Sequence, residues 1–342
     1  MPITIEDVAR AAGVSTATVS RALRGLPHVS PVTRSAITAI ALELGYVPSR
    51  SASNLATGRT RTIGLVTPYV SRWFFSHAIE AVESVLRAGG YDVLLVLLPP
   101  APARDRVCVD LEQLRQRVDA VCVLTVPLTG TELDGLRSLG FPMVFLGGSV
   151  AGSMSVRIDD VEVGRIATDH LISLGHSRIG YLGGDPAEPL NLHTPVDRRA
   201  GWRSALRAAG LALDPALDEV GAFTVEGGRE GMARLLRLAE PPTAVFAASD
   251  EMAFGALRAA RELGWDVPGD VSVIGVDGHE LGAVLDLTTV AQPVADLGRH
   301  AAGLLLAALQ GDPPHTQEHM LLPVTLVVRG STRLRAPAAA LT

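Results

Sequence analysis

The chain has 342 residues, enough for two ordinary domains and a small extra module, and no apolar run long enough to cross a membrane. Hydrophobic residues make up 47% and aromatic residues 4%, the balance of an α/β protein with an aliphatic core. The net charge of −6 is uneven: residues 1–61 hold seven arginines against Glu6, Asp7 and Glu43, a local +4 that leaves −10 for the rest, and no lysine occurs anywhere. A small basic head on an acidic body is the electrostatic footprint of a phosphate-binding module attached to something else. The opening MPITIEDVARAAG carries acids where a secretory leader needs a basic lead and an apolar stretch, so the chain is expected in the cytoplasm. Cys108 and Cys122 lack metal-type spacing and sit in apolar company, which predicts buried thiols in a reducing compartment.

In chain order, Thr4 precedes IEDVARAA, with Glu6 and Asp7 in the first turn and Ile5, Val8, Ala9 and Ala12 at helical spacing. Gly13 ends this helix, Val14 bridges to Ser15 as a second N-cap, and Thr16 to Leu23 continue helical. Two short helices joined by a three-residue turn containing Gly form a helix-turn-helix. A third helix is expected from Pro31 to about Leu44, stopped by Gly45, with Val32, Ile37, Ile40, Ala41 and Leu44 as its apolar stripe. Within GVSTATVSRAL, the hydroxyls of Ser15, Thr16, Thr18 and Ser20 compete for nearby backbone groups and are mediocre helix formers. Either they cap a surface turn or their face touches a ligand.

Residues 48–60, PSRSASNLATGRT, read as a linker. Strands and amphipathic helices then alternate. TIGLVTP, YDVLLVLL, VDAVCVL, PMVFLG and SVRID form one run of strands, and RIGYLGG, VGAF, TAVFAAS and VSVIGVDG a second. The tail adds the helix VADLGRHAAGLLLAALQG and a strand pair around LLPVTLVVRG, with no heptad segment after it. The pattern predicts two doubly wound lobes with parallel sheets covered on both faces, binding ligands beyond the carboxyl ends of the strands.

Catalytic signatures are absent from the sequence: no G-x-S-x-G elbow, Walker A loop, H-E-x-x-H or dinucleotide-binding G-x-G-x-x-G. GHSRIG at 175–180 reads as a structural turn, and His315 and His319 follow two prolines without ligand geometry. The expectation is a protein that is not an enzyme and needs no metal and no cofactor.

The stretches TIEDVARAAGVSTATVSRALRG, LGYVPSRSASNLATGRTRTIGLV, TDHLISLGHSRIGYLGG, TAVFAASDEMAFGALRAARELG and VPGDVSVIGVDG, with LTTV and the closing PVTLVVRGST, together resemble the lactose/galactose-repressor (LacI/GalR) family of bacterial transcription regulators. The resemblance runs nearly end to end. It implies a small all-α helix-turn-helix head plus an α/β two-lobed, periplasmic-binding-protein-like body of two doubly wound parallel sheets. The implied divisions are a DNA-binding domain over 1–47, a hinge over 48–60, an effector-binding and dimerisation body over 61–332 and a disordered tail over 333–342. Within the body, lobe 1 would span about 61–158 and 291–322, and lobe 2 about 159–290 and 323–332.

The same resemblance implies roles. The second helix would enter the major groove of a palindromic operator in double-stranded DNA, bound by a homodimer. Thr16 and Ala17 would occupy the base-reading positions, with Arg21 one turn later reaching guanine or a phosphate. Thr4, Ser15, Thr18 and Ser20 would anchor phosphates or cap helices. Asn54 and Leu55 lie in the segment that, in the family, folds on operator DNA; Leu55 would wedge into the minor groove, or else touch the body.

In the cleft, Arg198 and Asp277 match the effector-gripping arginine and acid, and Thr125, Thr194, Phe223, Ser249 and Gln292 fall on further cleft positions. Trp73 and Phe74 offer an aromatic surface with Phe75, whereas Asp250 is expected to cap the following helix rather than touch the ligand, and Arg72 to be a solvated loop residue rather than extra positive charge near the cleft mouth. Departures from the family pattern at Gly147, Ser249 and SRWFF leave the effector open: a sugar or sugar derivative, or alternatively a nucleoside or purine. A solute-binding protein with the same two-lobed body is the remaining alternative.

Overall fold

The computed structural model describes residues 3–46, 59–98, 110–126, 128–150, 152–185, 193–311 and 319–335. They belong to two compact units, Met1–Thr60 and Arg61–Thr342. The first unit contains α1 (Ile5–Ala12), α2 (Thr16–Leu23) and α3 (Pro31–Glu43). Val8 and Ala9 of α1, Val19 and Ala22 of α2, and Ile37 and Ala41 of α3 form its buried core. The spacing i, i+3, i+4 aims one narrow stripe of each helix inward. Two residues of the predicted α3 stripe do not join it: Val32 is 81% exposed and Leu44 is also exposed. Val32 lies in the first turn and Leu44 is the C-cap, both off the stripe that faces α1 and α2.

The second unit carries two six-stranded sheets. The first is built from β1 (Thr62–Thr67), β2 (Asp92–Leu97), β3 (Ala120–Leu124), β4 (Met143–Leu146), β5 (Met154–Arg157) and β11 (His319–Leu321). Their spatial order is β11-β5-β4-β3-β1-β2, all parallel. The second contains β6 (Ile179–Gly183), β7 (Asp218–Val220), β8 (Ala244–Ala247), β9 (Ser272–Asp277), β10 (Thr288–Ala291) and β12 (Thr325–Val327). Here the order is β12-β10-β9-β8-β6-β7, with only β12 antiparallel. The central strands β3, β6, β8 and β9 are buried at every position, as helices on both faces require.

The covering helices are α4 (Trp73–Ala88), α5 (Leu111–Arg117), α6 (Gly130–Ser138), α7 (Asp160–Ser173), α8 (His193–Ala208), α9 (Val225–Leu236), α10 (Asp250–Glu262), the short α11 (Leu281–Val284) and α12 (Val294–Gln310). Cys122 on β3 is a fully buried free thiol, its pKa pushed up to about 12 by burial; Cys108 lies outside the described residues. None of the described helices is long and apolar enough to cross a membrane.

Three expectations change. VGAF is not a strand: β7 ends at Val220, and Ala222 and Phe223 take left-handed backbone conformations (φ 49° and 54°) in a tight turn. The expected pair near LLPVTLVVRG is not a pair, because β11 lies against β5 in the first sheet and β12 against β10 in the second. Residues 333–335, expected in the disordered tail, are held in place: the Arg335 N–H donates to the Leu174 carbonyl at 2.8 Å and the Arg333 N–H donates to Ser272 Oγ. Residues 336–342 lie outside the described set.

GHSRIG behaves as a structural turn. His176 is buried, with Nδ1 3.0 Å from Thr243 Oγ1 and Nε2 3.1 Å from Ser272 Oγ, so one ring ties β6, β8 and β9 together at their entry ends.

The approach of α7 to α8 positions the site. A Cβ on Gly164 would stand 2.2 Å from the Arg198 carbonyl oxygen, and one on Gly201 2.1 Å from that of Val161. Both contacts are backbone, so neither can yield by a rotamer change. Gly201→Ala is therefore expected to destabilise the body by about 1–3 kcal/mol, the usual cost of overpacking. Chemical denaturation checks this, and an unchanged midpoint would contradict the close approach.

Candidate functional site

The candidate DNA-facing surface begins at the cap of α2. Ser15 Oγ accepts the Thr18 N–H at 3.1 Å and pairs with Thr18 Oγ1 at 2.9 Å, so capping occupies both hydroxyls. Thr16, Ala17 and Arg21 are exposed, while Val19 and Ala22 point into the head's core. Helical spacing thus separates an outward face at 16, 17 and 21 from a buried one. Thr4 does not stand free: its N–H and Oγ1 both donate to Asp7 Oδ2, at 3.0 and 2.9 Å. Ser20 is half-buried. Asn54 and Leu55 lie outside the described residues.

In the body, the floor of the second lobe is a polar constellation at the carboxyl ends of β6, β8 and β9. Helix α8 begins at His193, earlier than RRAGW suggests, which places Thr194 and Arg198 one turn apart on the same face. Arg198 is buried; its Nε donates to Asp160 Oδ1 at 2.8 Å and its Nη1 donates to the Ala248 carbonyl. Thr194 Oγ1 reaches the other oxygen of Asp160 at 3.3 Å. At the end of β9, Asp277 is held at φ 131°, and its Oδ1 accepts from Gln292 Nε2 at 2.6 Å. Phe223 packs over Gly184 beside Pro195: a Cβ on Gly184 would meet its ring at 2.4 Å.

Ser249, not Asp250, caps α10: Ser249 Oγ accepts the Met252 N–H at 3.2 Å. Asp250 pins the turn after β9 instead, accepting from Gly278 N–H at 3.0 Å, His279 N–H at 2.8 Å and Thr289 Oγ1 at 2.7 Å. A buried carboxylate needs such donors. Burial, followed by the Asp277 carboxylate, pushes the Asp250 pKa up. Burial also pushes Asp277 up, against the pull of the Arg198 guanidinium.

The first lobe contributes Thr125, Phe74, Trp73 and Arg72. Thr125 Oγ1 donates to the Leu146 carbonyl at 3.2 Å. A Cβ on Gly147 would fall 2.4 Å from that Oγ1 and 3.7 Å from Phe74, so Thr125 fills the space a side chain at 147 would need. Arg72 is not a solvated loop residue: its Nη2 lies 3.1 Å from Glu251 Oε2 on α10, joining the lobes, and it stacks over Tyr69 at 4.9 Å. Trp73 donates Nε1 to Glu280 and stacks on His279, with ring centroids 5.0 Å apart. Phe75 is buried in the core of its lobe.

The structure therefore links Thr194 and Arg198 through Asp160, pairs Asp277 with Gln292, sets Phe74 beside Thr125, and turns Trp73 toward the other lobe. Asp160, Glu251, His279 and Glu280 escaped the sequence reading. The only local signal was the acidic pair at the start of α7, which reads equally well as helix capping.

An acid whose folded pKa is raised binds more protons folded than unfolded, so its burial costs stability increasingly as pH climbs above the ordinary carboxylate value. Asp277→Asn removes that cost. The variant should melt at a higher temperature than wild type near pH 8, with the gain shrinking as pH falls toward 3.8. A pH-independent difference in thermal melts would contradict the direction of the shift.

Comparisons with known proteins give a consistent picture. Residues 4–49 match the model for bacterial regulatory proteins of the lacI family, and residues 168–332 match a periplasmic binding protein-like domain. The chain is 37% identical over 336 residues to the HTH-type transcriptional repressor CytR of Escherichia coli K12, covering 96% of each. Its fold is similar to that of the lac repressor dimer bound to operator and the anti-inducer ONPF (TM-score 0.84, 30% identity, 97% of this chain and 100% of that one). It is also similar to the transcriptional regulator CelR in complex with cellobiose (TM-score 0.69, 34% identity, 96% and 99% covered).

Proposed function

The chain belongs to the lacI family of bacterial regulatory proteins, and on that premise we propose that it is a cytoplasmic repressor controlled by a sugar or sugar derivative. It binds a palindromic operator as a homodimer, the two-fold axis of the protein matching that of the site. Family membership makes it a transcription regulator rather than an enzyme, and sets aside the solute-binding reading.

One observation carries the effector assignment. Arg198 and Asp277, a buried cation and a buried acid that act on each other electrostatically, lie at strand ends of one sheet, where the Phe223 ring packs over Gly184. A donor, an acceptor and an apolar face suit a ring bearing hydroxyls. The cellobiose held by the similar CelR regulator supports the same class. The ligand shifts operator occupancy only by as much as it prefers one lobe arrangement over the other.

On the DNA side, Thr16 and Ala17 face base edges, Arg21 reaches guanine or phosphate, and Thr4, Ser15, Thr18 and Ser20 position the head. Asn54 and Leu55 belong to the hinge, where Leu55 opens a central minor-groove step.

Operator binding tests these assignments. Substitutions at Thr16 should change which base is preferred, by about 1–3 kcal/mol of discrimination, and Leu55→Ala should weaken binding to every operator. A uniform loss at Thr16, or full affinity in Leu55→Ala, would remove the corresponding role. Arg198→Ala strands the buried Asp160 and should melt at a lower temperature. Below that melt it should still bind operator and fail to respond to any sugar that releases the wild-type protein; a retained response would move the effector site elsewhere.

A further inference from the structure

The charge around Arg198 decides more than the presence of a site. Asp160 takes the Nε of the guanidinium at 2.8 Å, which removes the side-on edge, formed by Nε and Nη2, that a carboxylate or phosphate uses for bidentate capture. The Ala248 carbonyl engages Nη1 as well. Asp160 is itself buried, and Thr194 supports its second oxygen, so the pair is built into the floor rather than fraying at a surface.

Two more buried carboxyl groups adjoin this pair. Asp277 acts directly on Arg198, and Asp250 holds the turn that follows Asp277. The floor thus sets the buried Arg198 guanidinium against Asp160 and Asp277, while the neighbouring buried Arg199 is taken up by Asp218 and Asp250 has both oxygens occupied in the turn. The balance is already acidic, in a setting where an uncompensated charge is costly.

We infer that this cleft selects an uncharged polyhydroxyl ligand and rejects the phosphorylated or carboxylated form of the same sugar, with Asp160 as the residue that sets this specificity. The inference rests on the reading of Arg198 and Asp277 as the effector site, and deepens it. A neutral ligand donates hydroxyls to Asp277 and accepts from what remains of the Arg198 fork. An anion meets a cation already neutralised by Asp160 and must approach the Asp277 carboxyl group as well. Arg198 therefore works here as a hydrogen-bond donor held in place, not as a free positive charge.

Inorganic phosphate tests the proposal without knowledge of the natural effector. Phosphate is titrated into the full-length wild-type protein, Asp160→Asn and Arg198→Ala, with binding read by calorimetry and thermal shift; Arg198→Ala supplies the background of general salt effects. Wild type should match that background. Asp160→Asn should gain at least about tenfold in phosphate affinity, and the gain should vanish in the Asp160→Asn, Arg198→Ala double variant.

Arg198-dependent phosphate binding by wild type would overturn the proposal. So would an Asp160→Asn protein that folds yet binds no more phosphate than wild type. If Asp160→Asn does not fold, Asp277→Asn takes its place, because it removes a second carboxylate from the same cation; the absence of a gain there also counts against the proposal. The underlying site reading fails by a different result, a releasing sugar that Arg198→Ala binds as tightly as wild type, so the two failures are distinguishable.

Discussion

The ion pair between Arg198 and Asp160 is the interaction on which the arrangement of the proposed effector floor depends. It forms because α7 and α8 touch backbone to backbone, with Gly164 and Gly201 at the contact. Burying such a pair adds little stability, but leaving one partner alone would cost several kcal/mol, on the order of 3–5. The two helices are thus locked in register by the need to keep both charges matched. The same lock places the guanidinium at the end of β6 and β8, where ligands of doubly wound sheets bind.

From that point a continuous set of contacts runs to the other lobe. Asp277 lies on the floor, Asp250 fixes the backbone of Gly278 and His279, and His279 stacks on Trp73 of the first lobe. Arg72 and Glu251 form a second bridge beside it. Charged and aromatic groups of both lobes are therefore connected to the floor through the three consecutive residues Asp277, Gly278 and His279. A two-state arrangement of the lobes gives such contacts their regulatory meaning, since a ligand changes an equilibrium only through differential contacts.

Much of this was legible in the sequence, for reasons tied to local pattern. Ser15 as a cap, the core face of α1 and α2, the alternation of buried strands with amphipathic helices, and Asp277 at a strand end all follow from spacing within a few residues. What was illegible depended on partners far apart in the chain. Arg72 looks solvated until Glu251, 179 residues later, comes to meet it. Asp160 reads as a helix-start acid until α8 brings Arg198 across 38 residues. VGAF has strand composition, but its turn needs left-handed backbone at Ala222 and Phe223, which no propensity announces.

The central claim is that the Arg198–Asp277 floor and the DNA-reading head are two sites of one coupled system. Reciprocity is the most direct measurement of it. Operator affinity of the full chain is measured with and without each member of a panel of neutral sugars, and affinity for any active sugar is then measured with and without operator. The account predicts that at least one sugar changes operator affinity, and that operator changes the affinity for that sugar by the same factor. A panel that leaves operator affinity unchanged, or a sugar bound equally well with and without operator, would contradict it.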